Sequence, residues 1–566
     1  MIVTLLIWAS IFLICYPYGK WLLKIWGKEL DNWHPVFVWL SGLALLTLLA
    51  DTLSLFINIS LPVWAGITLG AVILWGLLWR SGWRPDGFSF FKNLSWRHAP
   101  VLLLALLLFV FVLDLTSRAA ANPDTAIYHA QTIHWIEAYK AVPGLANLHS
   151  RLAYNSNWLV SNALFSYAWL GGQSFHVLPG LFVLLTLLYF TKGLWQAVRG
   201  DWKISVWAKI ALIPLFFVVL PSEVSSPGTD LPAVLITWLI LSEVLALAER
   251  PDGAYGPALF VLSGLAIFAV SLKLSVMPLL MIPAWLLYEL LRRKQYRAGL
   301  ILLLSGLLIM APWLARNVVL SGYLIYPLPQ VDLFNVDWKF PAFEAGGEVV
   351  TIQNWARHSW SDALQHSVSL PPQEWIPLWF KKETLNRRVL IVIVGAGFVL
   401  ESLLLLLPAV RRLLKYWAKH DYLPVYLTSF LGCLYWFLTA PDFRFGYSFI
   451  LFSLILIFVP VTHLLERINP VVRRGFSTGL VALLLIFHGV LYAASFEGKT
   501  LSERVVMPVP YAVMPTNSCQ FNGFSVWCAE LYNQCWHDPF PCVPRIIPSV
   551  EMRGSSYEDG FRDMGD

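Results

Sequence analysis

"VLLLALLLFVFVLDL", residues 101–115, is an apolar run that leads within a few residues into "ANPDTAIYHAQTIHWIEAYKAVPGLANLHSRLAYNSNW", residues 121–158. With its flanks the run is long enough to cross a hydrocarbon core about 30 Å thick as a helix. The stretch after it sets two acids, three histidines and a row of amides at the exit. Chemistry in such a chain is to be sought at the ends of its spans.

The same apolar pattern recurs along all 566 residues: 58% are hydrophobic, 13% are charged and 28 are Trp, a composition outside the range of soluble globular domains. Apolar segments fall at about 3–18, 33–50, 61–79, 99–116, 175–190, 205–220, 231–248, 256–270, 275–291, 298–315, 388–407, 421–438, 446–464 and 476–494, about fourteen spans in all. The first lacks a basic leading region and a small-residue cleavage site, so it reads as a span rather than a signal peptide. The expected fold is an all-α polytopic membrane protein. Its expected parts are extra N-terminal spans (1–98), a membrane core (99–495) with outer loops 117–174 and 316–387, and an outer tail (496–566).

Positive charge in short loops stays on the cytoplasmic side. One set of alternate loops carries Lys20, Lys24 and Lys28; Arg80, Arg84, Lys92 and Arg97; Lys192, Arg199 and Lys203; Arg250; "RRKQYR" at 292–297; Arg411, Arg412, Lys415 and Lys419; and Arg467, Arg473 and Arg474. The opposite short loops hold only Lys273 and Arg444. The long loops and the tail are therefore expected outside. The inner loops account for the net charge of +6, which gives no argument for a nucleic-acid partner.

Four of the six cysteines, Cys519, Cys528, Cys535 and Cys542, cluster in the tail. An even cluster in a short loop-rich stretch reads as two disulfides in an oxidising compartment. A zinc site is the alternative, disfavoured because the spacings lack close CxxC pairs. The pairing is open at this point.

In "NPDTAIYHAQTIHWIEAYK", Asn122 suits a helix cap and Pro123 a first turn, which predicts an outer surface helix over about 123–140. At a helical period Asp124, Tyr128, Gln131 and Trp135 share a stripe flanked by His129. Asp124 alternatively just completes the cap, and the histidines lack a metal-site spacing such as HExxH. A second surface helix is expected over about 156–170, after a loop with His149, Arg151 and Asn155. Charged groups recur at other outer span ends: Glu223, Asp230, Lys273, Arg316, Asp442 and Arg444. Ionisable groups at membrane depth are functional candidates by default. Carboxylates suit general-base work on a hydroxyl, and cations suit a phosphate leaving group. Together they fit transfer of a group from a lipid phosphate to a hydroxyl.

The layout resembles the GT-C class of integral-membrane glycosyltransferases over roughly residues 100–495, on Asp124 beyond a span, "KLSVMP" with Lys273, "PWLARNVVLSGYLIYP" with Arg316, and "APDFRF" with Arg444. The resemblance implies an inverting transferase that takes sugar from a polyprenyl-phosphate donor at the outer membrane face. By position it makes Asp124 the base, and Lys273, Arg316 and Arg444 the donor-phosphate ligands. Tyr128, His129, Gln131, Trp135, Asn155 and Trp158 are expected on the sugar or acceptor. Asp230 is expected to orient the acceptor or help hold a divalent ion such as Mg or Mn. The family's catalytic loop normally follows the first span, whereas here about three extra spans come first. The expected setting is a bacterial inner membrane with the site and tail on the periplasmic side. A lipid-linked-saccharide flippase and a polysaccharide polymerase or ligase are the rival functions.

Overall fold

The computed structural model describes residues 1–566 apart from 28–29, 31–32, 83–97, 173, 251–255, 359–369, 405–421, 458–468, 545–548 and 566. Lys28, Arg84, Lys92, Arg97, Arg411, Arg412, Lys415, Lys419 and Arg467 of the expected inner loops lie outside the described residues, as do the ends of three predicted spans. Among the described residues, and counting helices of eight residues or more, the chain forms α1 (Ile2–Trp26), α2 (Pro35–Ser54), α3 (Leu61–Arg80), α4 (Ala99–Thr116), α5 (Ala130–Ala138), α6 (Asn157–Leu164), α7 (Leu178–Val198), α8 (Ile204–Val219), α9 (Asp230–Ala248), α10 (Pro257–Leu272), α11 (Met281–Arg292), α12 (Tyr296–Ser321), α13 (Ala342–Arg357), α14 (Pro372–Lys382), α15 (Leu385–Leu404), α16 (Leu423–Thr439), α17 (Phe443–Ile457) and α18 (Pro470–Ser495).

Each predicted span overlaps one of these helices over its described residues. Among the described residues nine helical stretches are long and apolar enough to cross a membrane, and α8, α10, α16 and α17 are apolar but shorter. Leu-rich sequence supplies the helical propensity, and proline marks many starts: Pro35, Pro62, Pro100, Pro179, Pro257, Pro424 and Pro470 sit in first turns. There the missing N–H is one that a helix leaves unpaired anyway. α9 is buried all round, with Leu235, Ile236 and Trp238 fully enclosed, so it forms the centre of the bundle. α1 crosses α2 at Gly19 and Gly42, where an added methyl would run into the carbonyl of Val38 or Cys15. Small residues let two backbones approach where no hydrophobic drive between helices exists.

The outer loop departs from its expected helices in two places. Thr125–His129 is a π-helical turn ahead of α5, which ends at Ala138. Of the expected stripe, Tyr128, Gln131 and Trp135 face the tail, while Asp124 turns to Arg151 and Arg444. α6 stops at Leu164, and the chain reverses through Tyr167 at φ 51 before the short helix Ala168–Gly171.

The tail carries an antiparallel hairpin of β1 (Thr516–Phe521) and β2 (Phe524–Ala529), with β3 (Cys542–Val543) parallel to β2, and a second pair, β4 (Val550–Met552) and β5 (Phe561–Asp563). Its four cysteines form two disulfides, Cys519–Cys528 and Cys535–Cys542. The tail and the outer loop share a core of their own, with Tyr128, Trp135 and Leu145 packed with Phe524, Val550 and Phe561. Gln131 clamps the tail: its Nε2 donates to the carbonyls of Trp536 and His537 at 3.0 Å and of Pro539 at 3.1 Å, while its Oε1 accepts from Cys542 N at 3.0 Å.

Gly144 fixes this docking, because it holds φ +65 and its Cα faces the Phe561 carbonyl too closely for a Cβ. Gly144→Ala is expected to cost on the order of 1–3 kcal/mol in strain alone and to lift β5 off the loop. Limited proteolysis should then cut residues 496–566 faster than in wild type; an unchanged cutting rate would count against the docking role.

Candidate active site

Several of the charges at helix ends converge at one end of the bundle, and the local fold explains each. Ser226 Oγ accepts from the Ala121 and Asn122 amides at 3.0 Å, pinning the segment that leaves α4. Asn122 then does the capping work, since its Oδ1 accepts from Asp124 N at 2.8 Å. Asp124 makes no cap bond of its own. Its carboxylate, 28% exposed, instead faces Arg444 Nη1 at 3.3 Å and Arg151 Nη1 at 3.6 Å.

α10 ends because Lys273 is extended (φ −161, ψ 130), and a 3-10 turn follows. The break swings the Lys273 ammonium onto Asp230, the first residue of α9, and to 4.4 Å from the Phe445 ring. Arg444 opens α17 after the turn "APD", where Asp442 Oδ1 accepts from its amide at 2.9 Å and Asp442 Oδ2 lies 3.6 Å from its Nε. Glu223 accepts from Asn122 Nδ2 at 2.7 Å. Burial, and then the nearby Asp230 charge, raise the Glu223 carboxyl above its ordinary value.

His129 lies in the same cluster, 2% exposed. Its Nδ1 is 3.4 Å from Thr125 Oγ1, and among the described residues its buried Nε2 has no partner. Burial, with Lys273 and Arg444 adding to it, lowers its pKa to about 4 despite the neighbouring acids. The site thus combines carboxylates, cations and a neutral imidazole.

The long loop closes over two sides of this cluster. Glu348 of α13 accepts from Ser150 Oγ at 2.6 Å and from Tyr154 Oη at 2.5 Å, while Trp379 of α14 donates to the Pro441 carbonyl at 2.8 Å. Glu348 escaped the sequence reading, because nothing in its helical surroundings sets it apart. Arg151, Glu223 and Asp442 were visible only as polar residues near span ends. Gln365, in the same loop, lies outside the described residues.

Several expected site residues are placed elsewhere. Arg316 is buried and donates to Ser54 Oγ at 2.6 Å, one end of α2 rather than Asp124 being its neighbour. Trp135 and Trp158 are 2% and 1% exposed and serve the cores. Gln131 is committed to the tail, and Asn155 exchanges hydrogen bonds of 2.9 Å with Trp313. Tyr128 stays beside the cluster, its phenol pushed up by burial and then by Asp124.

A divalent ion is not accommodated by the acids as arranged. Asp124 and Asp230 are each engaged by cations, and among the described residues the three-ligand grouping is His134, His537 and Asp538, not the Asp124 cluster. That grouping is itself spent on docking the tail: His537 Nδ1 lies 2.7 Å from Asp538 Oδ2, and its Nε2 lies 3.1 Å from Ser174 Oγ. A cavity of about 290 Å³ opens beside it, lined by Trp64, His134, Glu137, Tyr167 and Trp169 and by none of Asp124, Lys273 or Arg444.

Burial works against the His537 cation, but Asp538 and Glu137 outweigh it and raise its pKa to about 9. A group raised above its unfolded value of about 6.5 gives stability that is full below that pH and lost as pH rises through 9. Tail docking is therefore expected to weaken between pH 7 and 9.5. Proteolysis of the tail across that range should accelerate in wild type and stay flat in His537→Gln; parallel curves would sink the assignment.

A family profile described as "Domain of unknown function (DUF8201)" matches residues 1–451. No curated protein and no solved structure matches the chain.

Proposed function

We propose a function for a chain that belongs to the DUF8201 family: an inverting glycosyltransferase that moves a sugar from a polyprenyl-phosphate donor to a hydroxyl acceptor at the outer membrane face. One observation carries the reading. Asp124 is free of the helix cap and partly exposed, and it lies against Arg444 and beside the Lys273–Asp230 pair at one end of an apolar bundle. The resemblance to GT-C enzymes and the count of fourteen spans belong to the same proposal. In its support, Ile2 N and Val3 N pair with the carbonyls of Val505 and Val506 at 2.9 and 3.0 Å, so any crossings between them are even in number.

In this mechanism the Asp124 carboxylate takes the proton of the acceptor hydroxyl. The oxygen then attacks the anomeric carbon from the face opposite the donor phosphate. The bond from that carbon to the phosphate oxygen breaks, its electron pair leaves on the phosphate, and Arg444 and Lys273 meet the growing charge. Asp230 sets the position of Lys273, and His129 offers an uncharged nitrogen to a substrate hydroxyl. Arg444 has to trade Asp124 for phosphate as donor enters, which leaves the base uncovered at the moment it is needed. α13 and α14 wall the site and face the acceptor. The proposed setting is a bacterial inner membrane with the disulfide-bearing tail on the periplasmic side; an endoplasmic-reticulum membrane meets the same needs of an oxidising outer side and a polyprenyl carrier.

The test is transfer of label from polyprenyl-phosphate sugars to envelope acceptors by the purified chain in liposomes. Label that reaches acceptor supports the enzyme. Label that crosses the bilayer still on its lipid would replace it with a flippase.

A further inference from the structure

The last turns of α7 and α9 and the first turn of α8 meet at the end of the bundle remote from Asp124. α9 begins at Asp230 in the acid–cation cluster and runs 19 residues to Ala248, about 28 Å at 1.5 Å per residue. The two ends thus lie about one hydrocarbon core apart. At the far end a cavity of about 170 Å³ is lined by Lys192, Lys203, Lys209, Arg250, Glu243 and Glu249 among others.

Lys209 is the buried cation of this lining, 2% exposed, with its ammonium 4.9 Å from the Tyr189 ring. Among the described residues no hydrogen-bond acceptor and no ion-pair partner reaches it. Three carboxylates line the cavity: Asp201, which accepts from Gln196 Nε2 at 3.5 Å, and Glu243 and Glu249, which are taken more fully. Glu243 accepts from Tyr189 Oη at 2.6 Å and Trp33 Nε1 at 3.0 Å, and Arg250 stands 3.5 Å away. Glu249 caps α8 by accepting from Ser205 N at 3.0 Å and Ser205 Oγ at 2.5 Å. Lys192, Lys203 and Arg250 are exposed at the rim.

An ammonium drawn largely out of water, with carboxylates around it but none within hydrogen-bond reach, has only part of its desolvation offset. An anion with several oxygens could accept from Lys209 and still reach the rim cations through charge-assisted bonds. We propose that this cavity is a binding site for a phosphate group, separate from the proposed transfer site and at the opposite end of α9. The phosphate of a soluble ion and that of a lipid headgroup share this chemistry.

The test uses the full chain in nanodiscs of phosphatidylcholine and reads the thermal unfolding midpoint at constant ionic strength. One arm titrates inorganic phosphate against chloride; the other replaces part of the lipid with phosphatidic acid. Saturable stabilisation is expected in one arm, the first marking a soluble source and the second a lipid one. Losing one charge-assisted bond should weaken half-saturation about tenfold or more in Lys209→Met, and Lys209→Arg should restore it. If Lys209→Met does not fold, the exposed-rim variants Lys203→Ala and Arg250→Ala carry the same expectation. A wild type that responds to neither ligand, or variants that respond just as wild type does, would overturn the proposal.

Discussion

Asp124→Asn is expected to lower turnover in lipid-phosphate-sugar transfer by about 10²–10⁴-fold, the usual worth of a positioned general base, in a protein that still folds. The substitution keeps the side-chain shape, so Arg444 and Arg151 retain a polar neighbour at 3.3 and 3.6 Å. It removes the charge with which Arg444 is now paired, and this gives the prediction a second sign. The donor phosphate no longer competes with a carboxylate for Arg444, so KM for donor should stay level or fall while kcat collapses. A lowered kcat with KM unchanged or reduced is the mark of a group that acts in the transition state. A purely structural Asp124 predicts a different pattern: a lower unfolding midpoint, and kcat and KM damaged together. Asn122→Ala provides the contrast, since it removes the cap on Asp124 N and the hydrogen bond to Glu223. It should displace the carboxylate without deleting it and so produce the milder, mixed defect.

The apolar helices were legible because hydrocarbon imposes one demand that composition alone can meet, a helix of sufficient apolar length. The two disulfides were legible for a similar reason: four cysteines within a short tail have few partners to choose from. The convergence of Asp124, Asp230, Lys273 and Arg444 was foreseeable because each charge interrupts an apolar pattern at the same end of its span. Arg316 has the same local signature, yet it sits with Ser54. Sequence places a charge at a depth along a helix but does not say which way round the helix it points. The stripe from Asp124 to Trp135 meets a different neighbour from the one expected. A single π-helical turn changes the period, and no residue in "TAIYH" announces it. Gln131 and Trp135 were then claimed by the tail, a segment some 400 residues later in the chain whose docking leaves no mark in the outer loop itself.

The largest loss of stability is expected from Asp114, the one acid inside the apolar run 101–115. It is fully buried. Arg504 reaches its Oδ1 through Nε at 3.0 Å and Nη2 at 2.9 Å, and Arg118 reaches its Oδ2 through Nη2 at 2.6 Å. Arg504 is 1% exposed and also donates to the Glu497 carbonyl at 3.1 Å and to Thr500, while its own carbonyl accepts from the Met1 ammonium at 2.5 Å. The cluster therefore ties the first residues of the chain, the end of α4 and the start of the tail together. Asp114→Leu leaves a buried guanidinium without its counter-ion, a change that costs about 3–5 kcal/mol when one partner of a buried pair is removed. Arg118 is less exacting, because at 15% exposure it can turn to Glu497, 3.4 Å away. Arg504→Met alone should cost a comparable amount, because it strands the carboxylate. In the double variant Asp114→Leu with Arg504→Met no charge of that pair is left buried, and replacing a buried ion pair by apolar groups is often neutral or better. The double variant should therefore unfold close to wild type, with a coupling of at least about 2 kcal/mol between the two positions. Additive losses would mean that the pair acts separately, Asp114 through Arg118 and Arg504 through the tail. Strong coupling would mean that this contact across 390 residues sets where the tail begins its path over the loop of residues 117–174.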